Sequence, residues 1–278
     1  MARKDLSLYH YTTIPGFIGI VQSKTFHATN SFYLNDEKEI RHSFDLTEDI
    51  MQKKIKQNYK CAINTDTDNL IGLLDLLKSM KKAISVIDNY VFSLSESGDI
   101  LSQWRGYSKN GGVSFSISKS NLEKIVSKNN LKLVKCVYNK SLQTREINKM
   151  IDNSVKKFRY SNALNKQSTE MNFFEFVTNL LSISTTYKDP SFREEKEWRI
   201  ICGSKFAKDT GIFHRDGKNS IIPYTKIDFD DINVIFDKII LGPTTSTDLS
   251  VAATKSLLKQ NNIKFSSIDK SKIPYRDW

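Results

Sequence analysis

The sequence predicts an α+β fold, with helices packed on and inserted into a mostly antiparallel or mixed sheet. Three observations lead to it. The chain opens as strand, helix, strand, with the aromatic, alternating stretch LSLYHYT from Leu6 to Thr12 as the first strand. Short alternating strands then recur, interrupted by helical periodicity at about residues 36–84 and by a basic helical segment at about 119–166. No repeat, low-complexity run or linker divides the 278 residues, so 1–278 is expected to form a single domain.

In the first strand, Leu6, Leu8, His10 and Thr12 face one way, and Tyr9 and Tyr11 the other. Thr13 caps the next helix and Pro15 stands in its first turn; the helix runs to about Ser23, ahead of a strand from Thr25 to Thr29. Asn35 and Asp36 start a charged helix to about Tyr59, with Ile40, Phe44, Leu46, Ile50, Met51 and Ile55 near helical spacing. A polar break from Asn64 to Asp68 precedes a second amphipathic helix, Leu70 to Ile84. Val86 to Ser95 reads as a strand carrying Ser93 and Ser95 on one face. Ser97 or Asp99 can cap the short helix that follows, on which Trp104 and Tyr107, three apart, share a face.

Asn110-Gly111-Gly112 is a turn, and Val113 to Ile117 a strand. Ser118 and Ser120 open an amphipathic helix, Lys132 to Tyr138 makes a strand, and a basic helix (Leu142 to Ala163) and an aromatic one (Phe173 to Ile183) follow. Beyond Cys202, strands are expected at Asn219 to Tyr224, Phe236 to Leu241 and Ile263 to Ile268, with a helix from Ser246-Thr247-Asp248 to about Gln260.

The net charge is +11. Between Lys119 and Lys166 twelve Lys or Arg face only Glu123, Glu146 and Asp152, a clustering that suits a phosphate-rich partner or a lysine-rich helical surface. No apolar run approaches the ~20 residues of a membrane span. MARKDLSLYHY has no apolar signal core, and Cys61, Cys136 and Cys202 are odd in number and dispersed, so free thiols in the cytoplasm are expected. His10, His27, His42 and His214 show no metal-ligand spacing, and no Walker loop, serine-hydrolase elbow or Rossmann fingerprint occurs.

The chemistry-bearing stretch is YKDPSFREEKEWRIIC, Tyr187 to Cys202. Read as a strand, it puts Glu195, Glu197, Arg199 and Ile201 on one face and Lys196, Trp198, Ile200 and Cys202 on the other. Two carboxylates two residues apart repel each other unless a standing or developing positive charge faces them. An edge strand with exposed ion pairs is the plain alternative.

Taken in order, LYHYT, LND, FSLSESGDILSQWRGYSKNGGVSF, EKEWRI and KIILGP resemble a large bacterial family of domains of unknown function, over nearly the full length. Its marks are F-S followed by W-x-x-Y and a G-V strand, then E-x-E-[WY]-R. That family is in turn similar to the ADP-ribosyltransferases, some of which are toxins that modify proteins or nucleic acids. The resemblance implies NAD as substrate, with His10, beside Tyr11 and Thr12, bonding a ribose and Ser93 and Ser95 bracing the pocket. It implies that Tyr107, with Trp104, stacks on nicotinamide and that Arg193 or Arg105 holds the pyrophosphate. Glu197 is then catalytic and Glu195 orients or deprotonates the acceptor. The middle motif departs from that family's pattern of paired tyrosines on strand and helix.

With the basic segment Lys119 to Lys166, the resemblance implies single-stranded RNA or DNA as acceptor. A toxin or phage-defence effector restrained by an antitoxin or other inhibitory protein follows as an expectation, without membrane attachment. Two other readings stand beside it. Asp189-Pro190 with Glu194-Glu195-Lys196 is similar to the acidic-x-Lys signature of Mg²⁺-dependent nucleases, and a non-catalytic nucleic-acid-binding module accounts for the charge alone.

Overall fold

A computed structural model describes residues 5–34, 38–60, 64–83, 89–108, 111–162, 166–204, 211–217, 220–230, 235–243 and 247–274. The elements are β1 (Ser7–Thr13), α1 (Ile14–Ser23), β2 (Thr25–Asn30), α2 (Lys38–Lys60), α3 (Asn64–Ala83), β3 (Asn89–Ser95), α4 (Leu101–Tyr107), β4 (Gly112–Ser118) and α5 (Lys119–Lys128). There follow β5 (Lys132–Lys135), α6 (Lys140–Asn162), α7 (Lys166–Ser184), β6 (Glu197–Ser204), β7 (Ile212–Asp216), β8 (Ile221–Asp228), β9 (Ile235–Leu241), α8 (Thr247–Gln260) and β10 (Lys264–Lys270). The fold is α+β with a mostly antiparallel sheet; β9 with β10 is a parallel pair. No helix among the described residues is long and apolar enough to cross a membrane.

The chain divides into two compact units. The first holds the sheet with α1, α4, α5 and α8; the second holds α2, α3, α6 and α7, and so includes the helical stretch expected at 36–84. The basic segment is split, with α5 and β5 in the first unit and α6 in the second.

In the first unit the sheet forks at β3. β6 pairs with β3 from Asn89↔Ser204 to Ser95↔Glu197 and occupies one whole edge. A strand has only two edges, so β1 and β2 must share the other. β2 takes its beginning (Asn30↔Tyr90, Thr29↔Val91) and β1 touches its end at Tyr9↔Ser95. From that fork one branch runs β1, β4, β9, β10 and the other β2, β8, β7.

Apolar alternation decides which face is buried. Leu8, Phe92, Leu94, Phe115, Ile117 and Ile200 project into one core, covered by Phe17, Ile20 and Val21 of α1 and Leu122 and Ile125 of α5. Aromatic stacking ties the strands together: Phe26 lies 4.7 Å from Phe92, and Phe115 4.6 Å from Phe236. The opposite face carries Tyr9, Ser93, Ser95, Glu197 and Arg199, which fall on one side because directly opposed residues share a face.

In the second unit, buried Gln143 donates to the carbonyls of Val137 and Lys188, beside the Val137↔Tyr187 bridge. The Tyr187 hydroxyl donates to Glu146.

Local signals placed many boundaries well. Thr13 caps α1 by accepting from the Gly16 amide, and Ser118 caps α5 by accepting from Asn121. Four expectations need correction. Asn64 to Asp68 is not a break: it is the start of α3, where Asp66 lies in the first turn and favours the helix dipole. Neither Ser97 nor Asp99 caps α4; Ile100 stands at the cap without a side-chain bond, because Asp99 accepts instead from the Trp104 indole, the Ser271 hydroxyl and the Lys272 amide. β5 stops at Lys135, short of Tyr138. Glu195 is not on the strand, as described below. Asn35, Asp36, Asn110 and the expected starts at Val86 and Asn219 lie outside the described residues.

Phe92 is 1% exposed and stacks on both Phe26 and His10. Phe92→Ala is expected to cost ~3–5 kcal/mol, read from the urea midpoint at unchanged slope; a loss under 1 kcal/mol would contradict this core assignment.

Candidate active site

The fork leaves a gap between β1 and β2, and His10 partly closes it. Its Nδ1 lies 2.8 Å from the Ser93 carbonyl oxygen. A carbonyl only accepts, so Nδ1 carries the proton and Nε2 is left as an acceptor. The ring stacks on Phe92 at 4.1 Å and meets Phe115 edge-on at 5.5 Å. Burial pushes its pKa down to about 4; the bond to Ser93 opposes this and the charge of Arg215 adds to it. The imidazole is therefore neutral at pH 7.

Around this gap lies a cleft of about 820 Å³, within the range of small-molecule and cofactor sites. One wall is β1 and the start of α1, including His10, Thr12 and Pro15; the other includes His27 and Thr29 of β2 with Arg215 and Tyr224. Ser93 and Tyr107 also line it. A second, smaller cavity adjoins it through His10, Tyr11, Ser93 and Tyr107, and is closed by Tyr9, Ser95, Gln103, Glu195 and Glu197.

The two glutamates have different surroundings. Glu195 ends the 3-10 turn Pro190–Glu195, and Lys196 follows at φ 44°, so the extended run begins only at Glu197. That left-handed residue breaks the alternation on which a two-carboxylate strand face depends. Glu195 is instead held by its backbone: its carbonyl accepts from the Ser95 hydroxyl at 2.7 Å, while the Ser97 amide donates to that same hydroxyl. Glu197, 5% exposed, receives two bonds from Arg199, Nε to Oε1 at 2.8 Å and Nη2 to Oε2 at 3.1 Å. A bidentate partner fixes the orientation of a buried carboxylate and offsets its desolvation.

Trp104 borders neither cavity, whereas Tyr11 borders both and also packs. Trp104 is 1% exposed, bonds Asp99 through its indole N–H and packs edge-on against Tyr11 at 4.9 Å. The Tyr11 hydroxyl donates to the Ser97 carbonyl and accepts from the Ile100 amide, pinning the loop before α4. Its burial raises its pKa. Arg193 is exposed and belongs to the second unit; Arg105 is exposed on α4. The basic segment is partly neutralised: Lys128, Lys135, Lys140 and Lys157 reach Asp228, Glu96, Asp189 and Glu175, all outside it.

Sequence reasoning did not select His27, Gln103 or Arg215. Arg215 sits on β7, which no alternation marked. His27 looked like another isolated histidine, yet its ring lies 4.5 Å from Tyr224 and its pKa falls to about 4 through burial, then Arg215 and Lys226. Among the described residues no three His, Cys, Asp or Glu stand close enough to hold a metal ion, so the acidic-x-Lys pattern gains no ligand cluster from the fold.

Residues 103–200 match a family described as a protein of unknown function (DUF2971). The match covers both W-x-x-Y (Trp104 to Tyr107) and E-x-E-W-R (Glu195 to Arg199) but not His10 or Ser93. No curated protein and no solved structure matches the chain.

Two outcomes follow from this geometry. Tyr11→Phe leaves a buried amide and carbonyl short of a partner and is expected to cost ~1–3 kcal/mol, measured by denaturation; no change would mean the loop is pinned otherwise. For both histidines the folded pKa, about 4, lies below the ordinary 6.5. The unfolded chain therefore binds more protons between those values, and stability falls as pH drops from 6.5 to 4. The slope approaches ~1.4 kcal/mol per pH unit for His10 and is smaller for the less buried His27, whose charge water screens. His10→Phe should flatten that slope in a series of urea melts; an unchanged slope would contradict the buried, neutral imidazole.

Proposed function

We propose that the chain is an NAD-dependent ADP-ribosyltransferase with an ADP-ribosyltransferase-like fold in its first unit, and that its acceptor is unpaired nucleic acid. One observation carries the reading. Residues from four separate stretches, His10, Ser93, Tyr107 and Glu197, line two adjoining cavities at the fork of the sheet. A forked strand pattern, a neutral histidine, an aromatic side chain and an oriented carboxylate at one place are what the chemistry needs.

In this reading the neutral His10 accepts a ribose hydroxyl through Nε2, and Tyr107 stacks against the flat nicotinamide. The bond between ribose C1′ and the nicotinamide nitrogen breaks, and the leaving group takes the electron pair. Glu197 stabilises the oxocarbenium-like charge that develops on the sugar, as carboxylates do in glycoside hydrolysis. An acceptor atom then bonds C1′ and gives up its proton, for which Glu195 is the base. Arg199 keeps Glu197 aimed rather than reacting.

The acceptor assignment draws on the net charge of +11 and on Lys124 and Lys132, which stay exposed on α5 and β5. Bases must leave a duplex before a pocket can reach them, which favours single strands. Such an activity would harm its own cell, which supports a role as toxin or phage-defence effector held by an inhibitory protein.

Incubation with labelled NAD and separate pools of RNA, single-stranded DNA and protein tests this. Wild type should transfer label to nucleic acid, and Glu197→Gln should lower transfer ~10²–10³-fold. Because that change also weakens the hold on Arg199, Tyr107→Ala is run beside it, with a melting curve for each. No transfer to any pool, or Mg²⁺-dependent shortening of the nucleic acid, would reject the proposal.

A further inference from the structure

We propose that the β2–β8–β7 wall of the cleft is a binding subsite for the diphosphate group of a nucleotide, with Arg215 and His27 as its donors. The location rests on the reading of the cleft as a nucleotide pocket; the anion chemistry stands on its own observations. Strand register puts the parts on one face. Thr29 opposes Tyr224, His27 opposes Lys226, Tyr224 opposes Phe213 and Ile222 opposes Arg215, so all these side chains rise from one side of the branch.

Two needs on this wall are left unmet. Arg215 donates through Nη2 to the Thr29 hydroxyl at 3.1 Å, one of its five N–H bonds, and makes no ion pair among the described residues. Its neighbour Asp216 also borders the cleft and its charge favours the charged form of Arg215, but as the next strand residue it points away and makes no direct ion pair with the guanidinium. His27 Nε2 is buried and has no hydrogen-bond partner among the described residues, which is costly for a polar atom. A phosphoryl oxygen answers both, accepting from the guanidinium fork and from an Nε2–H of His27. Lys226, opposite His27 with its ammonium 4.2 Å from the Phe213 ring centroid, adds positive potential. Asp228, farther along β8, is engaged by Lys128 at 2.9 Å.

Arg215 therefore takes the role that sequence reasoning gave to Arg193 or Arg105. The adenosine and nicotinamide ends of a dinucleotide would flank this point, with His10 and Tyr107 on the far side of the gap.

Calorimetric titration with inorganic pyrophosphate, ADP and adenosine tests the subsite without NAD or turnover. Wild type should bind pyrophosphate, and ADP at least tenfold more tightly than adenosine. Arg215→Gln should lose pyrophosphate binding and bring ADP down to the level of adenosine, while Arg215→Lys keeps part of the preference. Melting curves confirm that each variant is folded. Equal binding of ADP and adenosine by wild type, no binding of either phosphate compound, or unchanged pyrophosphate binding by Arg215→Gln would overturn the subsite. Failure of label transfer with pyrophosphate binding intact would count against the transferase reading alone.

Discussion

The first unit depends on the way β3 divides one edge between two strands. β6 holds the other edge throughout, so β1 and β2 cannot both run the length of β3. Each takes one end, and the ladder lapses between them. A lapsed ladder leaves backbone groups that need partners. The imidazole of His10 meets the Ser93 carbonyl there, so a side chain does what a strand amide would otherwise do. The same residue is thus a structural bridge and a wall of the cleft. It can serve both roles because its two ring nitrogens are distinct.

Charge in the first unit follows the same division. On the β6 side, Glu197 and Arg199, both buried on the face opposite the apolar core, neutralise each other. Across the gap, Arg215 faces the same cleft as two imidazoles that burial, and then its charge, keep neutral. One side thus offers an oriented carboxylate and the other a guanidinium that makes no ion pair among the described residues, an arrangement suited to a ligand that is anionic at one point and becomes cationic at another. NAD, with its diphosphate and a ribose that turns oxocarbenium-like, has that pattern.

The sequence revealed what is local. Thr13 and Ser118 announced their helices through capping chemistry, and the paired faces of Glu197 with Arg199 and Trp198 with Ile200 followed from alternation. Glu195 escaped because a single left-handed residue, Lys196, shifts the frame, and only Gly, Asn and Asp advertise that conformation. β7 escaped because its residues are mostly exposed and do not alternate. The fork itself was not legible. Which strand takes which end of β3 is decided by pairings far apart in sequence, and those bring His27 and Arg215 to His10. Trp104 illustrates the converse: it drew attention as a ligand contact, borders neither cavity and spends its indole N–H on the loop before α4, while Tyr11 serves that loop and borders both cavities.

The most direct test of the central claim is a crystal structure of the Glu197→Gln variant with NAD. The account predicts that NAD bridges the fork, with its diphosphate against Arg215, nicotinamide against Tyr107 and the scissile C1′ beside residue 197. NAD bound elsewhere, or a cleft that stays empty at millimolar NAD, would contradict it.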